Sequence, residues 1–295
     1  MKVAVTMLVA VLLTGCGRGE GAAGGEDGRT AAGEWPTTER RGLVEGMVLP
    51  LEKYLVYYPD FVAAENARIT AVDDCMKRYG FRYDLPPLGD FPPPSVNSAN
   101  MERRYGISDR TVAEKYAYRL PEAVAGDPGD YQLPGGEAAS VVLRGPDAGV
   151  RQGARESIPG DLPQGGCSGQ AEKLLGRLDD QLASDLGMES QKKSEDDRTV
   201  REAISAWSDC MAGHGYRAEH PHEAYEIVPA SSREVSPQEI AVAVADIGCK
   251  AETDLIAIWF EVETRIQNNL IEENAPALEE QRAANERVLE QAARS

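Results

Sequence analysis

Residues 69–83 read Ile-Thr-Ala-Val-Asp-Asp-Cys-Met-Lys-Arg-Tyr-Gly-Phe-Arg-Tyr, and residues 204–218 read Ile-Ser-Ala-Trp-Ser-Asp-Cys-Met-Ala-Gly-His-Gly-Tyr-Arg-Ala. Ile69/Ile204, Ala71/Ala206, Asp74/Asp209, Cys75/Cys210, Met76/Met211, Gly80/Gly215 and Arg82/Arg217 are identical without a gap. The pattern is that of a helix end written twice. A glycine closes a helix in the left-handed conformation, where a side chain is penalised, and the residue after it folds back over the last turn. The pattern therefore predicts that Phe81 packs on Met76 and Tyr216 on Met211, with a cysteine one residue before each methionine. A Met–aromatic pair can also line a ligand pocket, but core packing is the commoner use.

Outward from the repeat, helical spacing dominates and the expected class is all-α. Upstream, Leu43, Val44, Met47, Leu51 and Leu55 recur at helical intervals around Pro50, and a second helix runs from Pro59 to Gly80. Leu174, Leu175, Leu178, Leu182 and Leu186 give one leucine face to a helix over 168–188, which the polar run Ser190 to Asp197 separates from a helix ending near Gly213. Ser236-Pro237-Gln238-Glu239 is a helix start: a serine cap, a proline at the first position and a glutamate three residues on. The helix it opens extends to Asn274, where Pro276 breaks or restarts it, and a charged helix covers 277–293. The stretch 84–166 is different, a Pro/Gly-rich irregular insertion carrying Pro86-Pro87 and Pro92-Pro93-Pro94. Within it the pattern predicts one short helix over 109–118 capped by Ser108, and a short strand at Ser140-Val141-Val142-Leu143.

The amino terminus reads as an export signal. Val3 to Leu13 is almost wholly apolar behind the single charge of Lys2, about half the ~20 residues a spanning helix needs. It ends in Leu13-Thr14-Gly15-Cys16, which resembles the lipobox of bacterial lipoproteins at every position. That resemblance implies cleavage before Cys16 and fatty acylation, palmitate included, on Cys16, so that the membrane partner is reached through lipid. Residues 1–15 are then a signal peptide, 16–37 the lipidated cysteine with a flexible Gly/Ala/Glu tether, and 38–295 a helical domain of two halves, about 38–191 and 198–295. A random-coil tether over residues 17–34 reaches about 23 Å.

Acidic residues outnumber basic ones by 49 to 31, a net charge of −18 that becomes −19 when Lys2 leaves with the signal. Such a surface repels nucleic acid and anionic lipid, and suits solubility or a basic peptide or protein partner.

Export places the chain where disulfides persist, and lipidation of Cys16 leaves Cys75, Cys167, Cys210 and Cys249. Four cysteines allow three pairings. The repeat selects one, because Cys75 and Cys210 are equivalent and each is followed by one later cysteine. Pairing within halves, Cys75–Cys167 with Cys210–Cys249, keeps the halves alike. The order in each half, helix, Cys-Met-x-x-x-Gly-aromatic, connection, cysteine, resembles a set of actinobacterial secreted lipoproteins. Their later segment is similar to Ala243-Val244-Ala245-Asp246-Ile247-Gly248-Cys249-Lys250. The resemblance covers about half the mature chain and implies class and location; it brings no established activity and no catalytic residue.

Chemistry-bearing patterns are few. Glu219-His220-Pro221-His222-Glu223, with His214 nearby, has metal-ligand character. No His-Glu-x-x-His pattern exists, and histidines flanking a proline are expected to splay, so the assignment is a solvated turn with no metal and no cofactor. Gly165-Gly166-Cys167-Ser168-Gly169 has the outline of a nucleophile elbow, but no strand precedes it. The expectation is a membrane-anchored extracytoplasmic lipoprotein acting as a non-enzymatic binding module. Two alternatives stand beside it: a secreted hydrolase with its site in 84–166, and an immunity-type lipoprotein that captures cationic antimicrobial peptides.

Overall fold

A computed structural model describes residues 40–85, 101–119, 133–145, 161–230 and 234–295. Residues 1–39, with the expected signal peptide, Cys16 and the expected tether, lie outside the described residues. Among the described residues the fold is helical throughout, with no strand ladder.

Helix α1 (Tyr58–Arg78) and helix α7 (Arg198–Gly213) end in the same way. In α1 the Phe81 amide donates to the Met76 carbonyl (3.1 Å) and Gly80 to Lys77 (3.0 Å); in α7 Tyr216 donates to Met211 (3.0 Å) and Gly215 to Ala212 (2.9 Å). Gly80 and Gly215 hold φ of +80° and +85°. These are the two hydrogen bonds of a glycine-closed helix, and Phe81 and Tyr216 pack in the clusters of Met76 and Met211. The cysteines pair as the repeat requires: Cys75–Cys167 spans 92 residues and Cys210–Cys249 spans 39, each within one half.

The insertion is less irregular than its composition. It contributes α2 (Met101–Arg104), α3 (Arg110–Tyr116) and α4 (Gly136–Arg144). Ser140 to Leu143, expected as a strand, lie in α4: Ala139 and Val142 turn one helical face onto Cys75 and Cys167, and that burial outweighs the β preference of the valines. The cap of α3 is Asp109, not Ser108; its carboxylate accepts from Thr111 and Val112, while Ser108 is buried and its carbonyl accepts the Leu43 amide.

Other boundaries also differ from expectation. The leucine-rich helix is two, α5 (Gly166–Leu175) and α6 (Gln181–Glu195). Gly176 ends α5 at φ +81°, and a Cβ there would stand 2.8 Å from Val288. The polar run belongs to α6 as far as Glu195, with Ser190 and Ser194 fully buried, and its last residue, Asp197, caps α7. The apolar positions near Pro50 form 3₁₀ turns at Gly42–Val44 and Pro50–Tyr54. The helix opened by the Ser236 capping box is α8 (Pro237–Glu252); the left-handed Asp254 separates it from α9 (Leu255–Ala292). Helix α9 runs unbroken through Pro276, because Leu270 and Leu278 on either side join one cluster with Leu51, Tyr54 and Leu186.

The largest core lies in the second half, around Trp207, Met211, Val242, Leu255 and Trp259. Met101 and Tyr105, from the insertion, are fully buried in it. The insertion is thus part of the second half's core as well as of the first half's. No helix among the described residues is long and apolar enough to cross a membrane.

Candidate functional site

Residues 101–119 enter the second half through charged groups, a costly way to pack unless every group is satisfied. Arg104 is buried and forms a two-pronged ion pair with the buried Glu263 of α9. The same guanidinium donates to the Gly187 carbonyl (2.7 Å). Glu263 also accepts from Tyr105 (2.7 Å) and Ser190 (2.7 Å), and Gln267 donates to Ser190 (2.9 Å). Gln267 in turn accepts the Leu51 amide (3.0 Å), so one network fastens the amino-terminal turn, the insertion, α6 and α9.

A second buried pair joins Lys250 and Asp246, one turn apart on α8. Asp246 accepts from Trp207 Nε1 (2.9 Å), Tyr118 (3.2 Å) and Lys250 (3.1 Å); Lys250 also donates to the Ile107 carbonyl (2.9 Å). Burial pushes the Asp246 carboxyl up and the Lys250 ammonium down, and each charge opposes that for the other. Gly106 makes room for this lysine: at φ +78°, a Cβ would sit 2.6 Å from Nζ. The polar atoms of both pairs are engaged with partners inside the protein, which suits them to holding the insertion in place.

His220 and His222 lie at the rim of this buried region. His220 has extended backbone (φ −138°, ψ 141°), and Pro221 begins a 3₁₀ turn, Pro221–Glu226. The 3₁₀ turn that follows the extended His220 brings His222 back beside it, held by the His222 amide on His220 Nδ1, so the two rings come together and do not splay. Their centroids are 5.0 Å apart, and both contact Trp259, whose ring centroid is 5.7 Å from each. His222 Nε2 lies 3.0 Å from the Arg104 carbonyl, which can only accept, so Nε2 carries the proton and Nδ1 the lone pair. That Nδ1 faces Glu195, the last residue of α6, at 3.9 Å from Oε1. His220 Nδ1 accepts the His222 amide over a long 3.3 Å.

Burial, with His220 adding to it, holds His222 down to about 4, and burial lowers His220 as well. Burial and neighbouring Asp196 raise Glu195. About a third of each side chain of His222 and Glu195 remains open to solvent.

Of the three histidines, His220 and His222 come together with Glu195, a residue from another helix that no local spacing could reveal. His214 lies apart from them, exposed beside the Cys210–Cys249 disulfide, whose sulfurs are bonded to each other. Cys167 is likewise half of a disulfide and starts a helix after a left-handed Gly165-Gly166 turn, so it offers no thiolate nucleophile. A surface pocket is lined by Ser208, Arg217, Glu219, Glu223, Glu226 and Ile227.

Two disulfides in one chain point to an oxidising, extracytoplasmic environment. Comparison with protein-family models, curated proteins and solved structures finds no match to this chain.

Proposed function

We propose that this chain is an exported lipoprotein, cut before Cys16 and anchored there by lipid, that serves as a binding module outside the cytoplasmic membrane and not as an enzyme. The observation that carries it is the use of the cysteines. Of five in the sequence, four are consumed in two disulfides, and the remaining one follows Leu13-Thr14-Gly15 at the end of an apolar leader. Two acyl chains give stable anchoring where one is marginal. The buried ionised groups support a scaffold role, since their hydrogen bonds run to other elements of the fold. A net charge of −18 suits a basic peptide or protein face as partner.

Metabolic labelling with palmitate tests the reading. The wild-type chain is expected to take up label and to sediment with membranes, while Cys16→Ala loses the label and stays as precursor or leaves the membrane. A Cys16→Ala chain that still incorporates palmitate, or that is trimmed and membrane-bound like wild type, would refute the anchor.

A further inference from the structure

We propose that Glu195, His220 and His222 form a binding site for one divalent cation of the zinc–copper–nickel class. The inference is independent of the lipid anchor. Two imidazoles and one carboxylate are the donor set such ions favour over magnesium or calcium, which prefer oxygen alone. The ligand atoms of the three residues lie within 4.8 Å of one another. Bonds of about 2.0–2.1 Å at a tetrahedral angle separate ligand atoms by roughly 3.3 Å, so the 3.9 Å between His222 Nδ1 and Glu195 Oε1 needs only a small closure.

The tautomer is the strongest sign. The Arg104 carbonyl fixes the proton of His222 on Nε2, as the outer partner of a metal-bound histidine does, and turns the Nδ1 lone pair toward a carboxylate. Two lone-pair acceptors face each other there, an arrangement that a cation between them would relieve. Among the described residues no hydrogen-bond donor is seen on the Glu195 carboxylate. Arg104 is itself held by Glu263, Gly187 and Ser190, so the outer shell is rigid. Trp259 supports both rings from behind, and the solvent-open edges of His222 and Glu195 leave a path for the ion and for completing waters. Binding would exchange the long His222 amide contact on His220 for a metal bond.

The test uses the untagged full chain in detergent with its disulfides intact. Equilibrium dialysis against Zn²⁺, Cu²⁺ and Ni²⁺, with Mg²⁺ and Ca²⁺ as comparators, is expected to show one ion of the first group per chain. Outer-shell changes commonly weaken metal sites 10–100-fold, so loss of a ligand in Glu195→Gln or His222→Ala should weaken binding by at least about tenfold. His214→Ala should bind as wild type. Glu195→Gln keeps size and shape, so its unchanged melting temperature without metal would separate a lost ligand from a lost fold. The Cu²⁺ form should show electron paramagnetic resonance coupling to two nitrogens. Stoichiometric binding that survives both ligand variants, tighter binding of Mg²⁺ or Ca²⁺, or no saturable binding would overturn the proposal.

Discussion

The ends of α1 and α7 are one structure built twice, yet they close onto different interiors. At the end of α1, Cys75 and Met76 face a small apolar cluster of Val72, Ala139, Val142, Cys167 and Ala171. At the end of α7, Met211 belongs to a larger cluster with Trp207 and Trp259, and Arg104, Glu263, Asp246 and Lys250 are buried as well. The same fifteen-residue motif thus specifies a helix stop and a place for a disulfide, while the rest of the chain decides what that stop is packed against. The difference comes from residues 101–119. They leave the first half by sequence and enter the second half by contact, bringing a buried arginine and the carbonyl that orients His222.

The largest expected effects concern the two disulfides. Replacing both cysteines of a pair by serine should destabilise by about 4–5 kcal/mol on the chain-entropy estimate. The 92-residue loop is expected to exceed the 39-residue loop by about 0.8 kcal/mol. Urea unfolding of the two double variants measures both numbers. A much smaller loss for Cys75–Cys167 would mean that the first half's small core stands without its staple.

Next comes the charge that only the second core carries. Arg104→Met leaves Glu263 buried without its partner and should cost about 3–5 kcal/mol, whereas Arg104→Met with Glu263→Leu should recover most of that. Thermal or denaturant unfolding of the single and double variants checks it, and equal loss in both would contradict the desolvation argument.

The two closing glycines sharpen the comparison further. A Cβ at Gly80 or Gly215 meets nothing within 4 Å, so Ala at either position pays only for its left-handed conformation, about 1–2 kcal/mol, and the two losses should match. Unequal losses would show that the two helix ends are not energetically equivalent.

The smallest effect is acidic and local. Glu239 in the α8 capping box is held down to about 2 by the Ser236 amide and then by Arg119. A lowered folded-state value contributes stability that is present above the ordinary carboxyl range near 4.5 and is lost as pH falls through about 2. Melting temperature against pH should therefore fall between these limits in wild type and fall less in Glu239→Gln.

What could be read from the sequence was local. The glycine closures, the Ser236 cap and the disulfide pairing follow from residues a few positions apart, together with the internal symmetry. The break at Gly176 was legible in principle, since a glycine after a helical run is a stop signal; the leucine periodicity across it hid the signal, and Leu174 proves exposed. Ser140 to Leu143 carry a strand signal because valines favour strands wherever nothing else decides, and the burial of Val142 in α4 is what overrides it. Helix α9 passes Pro276 only because α6 and the Pro50–Tyr54 turn pack along it. The Glu195–His220–His222 cluster depends on α6 and the Pro221 turn meeting beside Trp259, a long-range event with no local mark. Ser190 and Ser194 looked like linker residues because their burial is earned by partners on α2 and α9.

Intact-mass spectrometry of the membrane-extracted chain, before and after reduction, tests the central claim of an exported, lipid-anchored, doubly cross-linked protein most directly. The account predicts residues 16–295 carrying a diacylglyceryl group, with a gain of four hydrogens on reduction, two for each disulfide. An unlipidated chain beginning at Met1, or a mass that reduction leaves unchanged, would contradict it.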